Sequence, residues 1–156
     1  MPKFLVDGML GQLAKWLIML GYDAKIVPDG PRAELDMVID ALREGRVLLT
    51  RDTKLAPARG LKMLVLREQH LEDQLAKVLR ELGLKPDPKK FMTRCTLCNQ
   101  DLVKAERKEV LSGIPPKVRK LRTMFHRCPS CGKLYWRGTH VKNAKTKLST
   151  LFSKVQ

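Results

Sequence analysis

The chain lacks any long apolar run. Its longest apolar stretches are of the type found at residues 17–20, whereas a helix that spans a membrane needs roughly 18 consecutive apolar residues. Asp7 interrupts the only N-terminal segment that could form the apolar core of a secretory signal, which argues against one. We therefore expect a cytoplasmic protein without a membrane partner.

Acidic residues are scarce after Met92. Residues 93–156 hold 15 Lys+Arg against three acids, a net charge of about +12, whereas the preceding part holds 16 Lys+Arg against 13 Asp+Glu. The formal charge of the whole chain is +15. An excess of this size predicts a polyanionic partner, nucleic acid before a membrane surface. Its uneven distribution predicts two modules.

The two modules meet at a segment that contains two prolines. Pro86 and Pro88 lie within residues 84–90 and cannot extend a helix, which predicts a short stiff linker. We place the domain boundary at residue 90, so that the first domain covers residues 1–90 and the second covers residues 91–156.

The first domain alternates short apolar runs with longer segments of helical period. Strands are predicted at residues 4–6, 24–27, 46–50 and 62–66, and helices at residues 10–20, 33–44 and 71–82. Strands that alternate with helices of this length predict an α/β layer fold around a small parallel sheet.

Two aspartates follow two of the predicted strands, Asp7 after the first and Asp52 after the third. Ligands bind beyond the carboxyl ends of parallel strands where the strand order reverses, and an order of 2-1-3-4 makes these two strands neighbours there. Neighbouring strands lie about 4.8 Å apart, so both carboxylates could reach one cation. A third acid could come from the start of the second helix, at Glu34 or Asp36. An all-oxygen ligand set suits Mg²⁺ or Mn²⁺.

Each of these acids also has a purely structural interpretation. Asp7 could cap the first helix, and Asp52 could cap a turn over residues 53–55, because aspartate commonly begins helices and turns. Asp36 could simply lie on a solvated helix face. The residues alone leave both interpretations open.

Cysteine is limited to four residues, all of them in the second domain. They form two Cys-x-x-Cys pairs, Cys95 with Cys98 and Cys128 with Cys131. Four thiolates complete a closed tetrahedral zinc site, and a metal would supply folding free energy that so small a core lacks. Two disulfides or a redox pair are the alternatives, but stable disulfides are disfavoured in the cytoplasm. The spacing therefore predicts structural zinc.

Cations and aromatic residues occur together around the second cysteine pair. The candidate RNA contacts in this region are Lys117, Arg119, Lys120, Arg122, Tyr135 and Trp136. Rings beside cations suit stacking on unpaired bases and contact with phosphates, although Tyr135 and Trp136 could instead fill the small core of the domain.

The C-terminal tail, residues 141–156, predicts a basic amphipathic helix. Its apolar face consists of Ala144, Leu148, Leu151, Phe152 and Val155. Such a helix could lie on a membrane, but docking against its own protein is the commoner arrangement and the one that we expect.

Several motifs together resemble the Mut-7 C-terminal RNase domain family over residues 3–140. The matching motifs lie at residues 4–7, 13–17, 20–23 and 44–52, in Cys95-x-x-Cys98-Asn99, and in Cys128-x-x-Cys131-Gly132-Lys133-x-Tyr135-Trp136-x-Gly138-x-His140. The resemblance implies a PIN-like nuclease domain followed by a C-terminal zinc ribbon. It also implies that Asp7 and Asp52 are ligands of a catalytic metal, with Thr50 as the accompanying hydroxyl.

Two positions depart from the pattern of PIN-like proteins. Their helix-start acid could match Glu34 or Asp36, and the residues do not decide between these two. A further acid often follows the position that matches Asp52, but Lys54 occupies that neighbourhood here. This difference favours one firmly held metal over two.

The leading hypothesis is a divalent-metal-dependent ribonuclease whose zinc ribbon binds the RNA, with Lys15 and Arg51 as phosphate contacts. One alternative is a non-catalytic RNA-binding or ribosome-associated protein. Another is the toxin of a toxin–antitoxin pair, which the added zinc module disfavours. The sequence leaves open whether the target is tRNA, rRNA or mRNA, whether cleavage is internal or terminal, and whether the chain forms a homo-oligomer.

Overall fold

The computed structural model describes residues 1–28, 30 and 33–155, except for the side chains of residues 33, 139, 140 and 151–155. Three residues of the predicted apolar face of the tail, Leu151, Phe152 and Val155, therefore lie outside the described side chains. The chain divides into two compact units, Met1–Met92 and Thr93–Gln156. Among the described residues, no helix has both the length and the apolar character needed to cross a bilayer.

The first unit is an α/β layer fold, as the sequence predicts. Its strands are β1 (Lys3–Asp7), β2 (Asp23–Val27), β3 (Val47–Thr50) and β4 (Met63–Val65), and its helices are α1 (Gly11–Met19), α2 (Ala33–Glu44) and α3 (Leu71–Glu81). All neighbouring strands pair in parallel, in the order β2-β1-β3-β4. This order confirms the predicted neighbourhood of the strands that end near Asp7 and Asp52.

Alternating side chains of the central strands bury both faces of the sheet. Leu5 and Leu48 pack against Met37 and Ala41 of α2 on one face. The intervening strand residues, among them the fully buried Phe4, point to the opposite face, because successive side chains of a strand alternate. Helices α1 and α3 pack against each other there. Burial on both faces explains why β1 and β3 are continuous apolar runs.

Gly21 ends α1, as the sequence predicts, and the structure adds a second reason for glycine there. Its φ of 90° lies in the left-handed region, and the amides of Gly21 and Tyr22 bond back to the carbonyls of Ile18 and Leu17. A Cβ at this position would lie 2.6 Å from the carbonyl oxygen of Lys90. The close approach therefore requires glycine even apart from the backbone angle.

The second unit contains a three-stranded antiparallel sheet in the order β5-β6-β7. Its elements are β5 (Val103–Ala105), α4 (Arg107–Val110), α5 (Pro116–Arg119), β6 (Phe125–Arg127), β7 (Leu134–Trp136) and α6 (Thr139–Val155). A small core forms around Phe125, with Val110 and Ile114 buried beside it. In α6, Val141 and Leu148 are buried, which agrees with the expected docking of the tail.

Candidate active site and metal centre

Asp7 is the last residue of β1, and its carboxylate is almost fully buried at the carboxyl edge of the parallel sheet. Its Oδ2 atom accepts a hydrogen bond of 3.0 Å from the Thr50 hydroxyl and one of 3.4 Å from the Arg51 amide. Its Oδ1 atom accepts a bond of 3.0 Å from the Met9 amide. Parallel pairing of β1 with β3 brings Thr50 to this position, where its side chain is fully buried.

Asp52 joins the same cluster through Thr50. The Asp52 amide donates to the Thr50 hydroxyl oxygen at 3.0 Å, so one hydroxyl contacts both aspartates. The Asp52 side chain is half-buried, and its Oδ1 atom accepts a bond of 2.7 Å from the Lys54 amide. Among the described residues, the other carboxylate oxygen of Asp52 receives no hydrogen bond.

Both aspartates also have the capping roles that the sequence allows. Asp7 caps the short 3-10 turn Gly8–Leu10, and Asp52 caps the turn that begins after it. One oxygen of each carboxylate is thus used locally. Because the Thr50 hydroxyl holds both the Asp7 carboxylate and the backbone amide of Asp52, capping and a shared site are compatible in this fold.

The third acid lacks a comparable position. Glu34 and Asp36 lie exposed in the first turn of α2. Within the described part of the chain, no three carboxylates have oxygen atoms close enough together to hold one metal ion. The assignment of Glu34 or Asp36 as a ligand stays a prediction. So does phosphate contact by Lys15, which is exposed on α1, and by the half-buried Arg51.

The four cysteines form a compact thiol cluster, as the spacing predicts. Their sulfurs all lie within 4.8 Å of one another, and the Sγ atoms of Cys95 and Cys131 are 3.8 Å apart. Zinc–sulfur bonds of about 2.3 Å in a tetrahedron require sulfurs about 3.8 Å apart. The donor set and its spacing therefore fit a structural zinc ion.

The two halves of this cluster are built alike. Four residues after the first cysteine of each pair, Asn99 and Gly132 have φ angles of 58° and 74° in the left-handed region. Their amides donate to the carbonyls of Cys95 and Cys128 at 2.8 and 2.9 Å. Asparagine and glycine are the residues that tolerate this conformation best, so each knuckle has the residue that its turn requires.

The thiols of the first pair differ in their readiness to ionise. Burial of Cys95 opposes its ionisation, but hydrogen bonds from the Tyr135 hydroxyl and from backbone amides outweigh this and lower its pKa to about 6. The neighbouring sulfur of Cys131 raises the pKa of Cys98 to about 12. Ionisation of Cys98 beside Cys131 is thus disfavoured unless a cation compensates the charge.

Tyr135 is buried beneath this cluster. Its hydroxyl lies 3.1 Å from the Cys95 sulfur and accepts a bond of 3.0 Å from the Thr96 amide, while burial raises the pKa of Tyr135 to about 12. This geometry favours the core role for Tyr135 over stacking on a base. Trp136 is half-buried against the Phe125 core, and its RNA contact stays a prediction.

Four exposed cations lie close together between the two cysteine pairs. Their side chains, Lys117, Arg119, Lys120 and Arg122, lie in α5 and the turn that follows it. We call residues 117–122 the basic segment. Exposure makes these side chains available to a polyanion, and their contact with RNA stays a prediction.

No curated protein and no solved structure matches the chain. The family model described as the Mut7-C RNAse domain matches residues 2–148, nearly the whole chain. The parallel sheet, the thiol cluster and this match agree, and the chain belongs to the Mut7-C RNAse domain family.

Proposed function

We propose that the protein is a divalent-metal-dependent ribonuclease that hydrolyses RNA phosphodiester bonds at Asp7 and Asp52. The observation that carries this proposal is the Thr50 hydroxyl at the carboxyl edge of the sheet, which donates to the Asp7 carboxylate and accepts from the backbone amide of Asp52. Membership of an RNase domain family supports the reaction class. The all-oxygen character of the site supports Mg²⁺ or Mn²⁺ as the cofactor.

The protein's contribution to this reaction is placement of charge. A bound divalent cation lowers the pKa of a coordinated water and stabilises the negative charge that grows on the phosphate. Asp7 and Asp52 would hold it, and Glu34 or Asp36 would supply a third oxygen. The hydrogen bonds to Asp7 fix its carboxylate before any ligand arrives, so little reorganisation is needed on binding.

We further propose that the second unit holds the RNA. The excess of positive charge lies there, and the basic segment exposes four cations. Because RNA binding through phosphates releases counterions, the affinity should fall steeply as salt rises. Thiolates that bind zinc must stay reduced, and this requirement supports a cytoplasmic location for the protein.

Replacement of each aspartate by asparagine tests the catalytic assignment. Asp7→Asn and Asp52→Asn should each lower Mn²⁺-dependent cleavage of labelled RNA by at least about a hundredfold, because metal ligation supplies several kcal/mol of transition-state stabilisation. RNA affinity should be unchanged or higher, since a negative charge is removed. Asp73→Asn, an exposed aspartate of α3, is the matched control and should cleave normally. Unchanged cleavage by Asp7→Asn and Asp52→Asn would refute the assignment.

The second candidate is a non-catalytic RNA-binding or ribosome-associated protein. The observation that favours it is that one oxygen of each aspartate already caps a local turn. This candidate predicts tight RNA binding without metal-dependent turnover. It also predicts loss of function in Cys128→Ala but not in Asp7→Asn. A nuclease, in contrast, would lose its function in Asp7→Asn.

A further inference from the structure

Arg107, at the start of α4, contacts the basic segment without belonging to it. Its Nη1 atom donates to the carbonyl oxygen of Leu121 at 2.8 Å, and its Nη2 atom donates to the carbonyl oxygen of Arg119. The centre of its guanidinium lies 5.7 Å from the centroid of the buried Phe125 ring. One side chain therefore ties two backbone carbonyls of the basic segment to the core of the second unit.

Other bonds hold the same stretch of backbone. The Arg119 Nε atom donates to the Ile114 carbonyl at 3.3 Å, and the Leu121 amide donates to the Val118 carbonyl at 3.0 Å. Val118 packs against the core that contains Phe125. The basic segment is thus a turn that the partly buried Val118 anchors to the core, and Arg107 holds its exposed end in place.

We propose that Arg107 is a positioning residue, which holds the basic segment so that its cations meet RNA phosphates in one fixed arrangement. This inference rests on the proposed RNA binding by the second unit. Four like charges in residues 117–122 repel one another, and ordering such a segment at the moment of binding would cost affinity. The bonds from Arg107 order it beforehand.

Arginine is needed for this task, and lysine cannot replace it. The planar guanidinium presents several N–H donors in a rigid fork and stacks on an aromatic face, whereas an ammonium is a compact point charge. Lysine at position 107 would keep the charge but could not bridge the carbonyls of Arg119 and Leu121 while resting on Phe125. Charge and positioning can therefore be separated by one substitution.

The test compares Arg107→Lys, Arg107→Ala and Lys108→Ala in the full zinc-loaded chain. Lys108 is the matched control because it is the next cation in α4 and is exposed. Two measurements are made on each variant: the ¹⁵N heteronuclear NOE of residues 117–122 without RNA, and the dissociation constant for a labelled single-stranded RNA as a function of salt. Zinc content confirms that the fold is retained.

We expect both Arg107 variants to lower the NOE across the basic segment and to weaken RNA binding by about tenfold, because several cations must then be ordered on binding. Lys108→Ala should leave the NOE unchanged and weaken binding by no more than about fourfold, the counterion effect of one phosphate contact near 0.15 M salt. Rescue of both quantities by Arg107→Lys would overturn the inference, as would Arg107→Ala behaving like Lys108→Ala. A wild-type chain that binds no RNA would refute the proposed function itself, and with it any role of Arg107 in recognition.

Discussion

The Thr50 hydroxyl donates to Asp7 at 3.0 Å and accepts the Asp52 amide at the same distance. A hydroxyl has one proton to give, so its donation to Asp7 leaves only its oxygen for the Asp52 amide. Thr50 thereby fixes the orientation of one carboxylate and the backbone that carries the other. The geometry of the proposed catalytic site depends on this residue as much as on the acids.

Removal of that hydroxyl should uncouple the two aspartates. Thr50→Val keeps the shape of the side chain but removes one hydrogen bond to Asp7 and leaves the Asp52 amide without its partner, which should cost about 1–3 kcal/mol of unfolding free energy. Cleavage should fall about a hundredfold, because small displacements of catalytic groups have effects of that size. Thr50→Ser keeps the hydroxyl and serves as the control. Urea unfolding and an RNA cleavage assay measure the two effects, and a Thr50→Val protein as active as Thr50→Ser would contradict the prediction.

Glu44 should make the first unit sensitive to acid. Its carboxylate accepts bonds from Lys25 at 2.6 Å and from Arg46 at 2.6 Å, and these contacts lower its pKa from 4.5 to about 2. A carboxylate with a depressed pKa stabilises the fold above its unfolded value, so this contribution should be complete above pH 4.5 and lost as the pH falls toward 2. The gap in melting temperature between the wild type and Glu44→Gln should therefore close over that range.

The readout for this experiment must report on the first unit alone, because acid also protonates the zinc ligands. Trp16 lies in α1, so a Trp136→Phe background leaves Trp16 as the only tryptophan. Glu72→Gln, an exposed glutamate of α3, removes the same charge and should show no such closing gap. A gap for Glu44→Gln that stays constant down to pH 2.5 would show that these ion pairs contribute nothing.

Zinc removal should unfold the second unit and leave the first one folded. The thiol cluster joins its two knuckles, and structural zinc commonly contributes about 10 kcal/mol or more to folding. A chelator should therefore abolish the folded signal of Trp136 while that of Trp16 persists, as measured in two single-tryptophan variants. Later addition of Mn²⁺ alone should not restore RNA binding, whereas Zn²⁺ should. Loss of both tryptophan signals together would contradict independent stability of the first unit.

The strands could be predicted from the sequence because each rests on a local pattern. Apolar runs mark β1 and β3, and the sheet has the order under which Asp7 and Asp52 follow neighbouring strands. The two cysteine pairs were equally clear, since metal geometry limits their spacing. These features depend on residues that are close together in the chain or on a strict ligand count.

Contacts between distant residues could not be predicted in this way. Arg46 begins a predicted strand, yet in the structure it is a buried cation whose Nη1 atom lies 2.7 Å from Asp23 and 3.2 Å from the carbonyl oxygen of Phe4. Its partners meet it only because β1 pairs with both β2 and β3. The link between Asp7 and Thr50 has the same origin. No periodic pattern within the chain encodes such a pairing.

Tyr135 shows the same limit, and its role leads to the last prediction. Aromatic residues beside cations predict base stacking, but the Tyr135 hydroxyl lies 3.1 Å from the sulfur of Cys95, one of the four thiols that fit a zinc ion. Tyr135→Phe keeps the ring, and with it the contact of Lys133 at 5.4 Å from the ring centroid, but loses the hydroxyl. Loss of such a partner should lower zinc affinity by about tenfold or more, measured by competition with a chromophoric chelator. Trp136→Phe, a change at the neighbouring ring, should keep the wild-type affinity, and an unchanged affinity in Tyr135→Phe would show that the hydroxyl only fills the core.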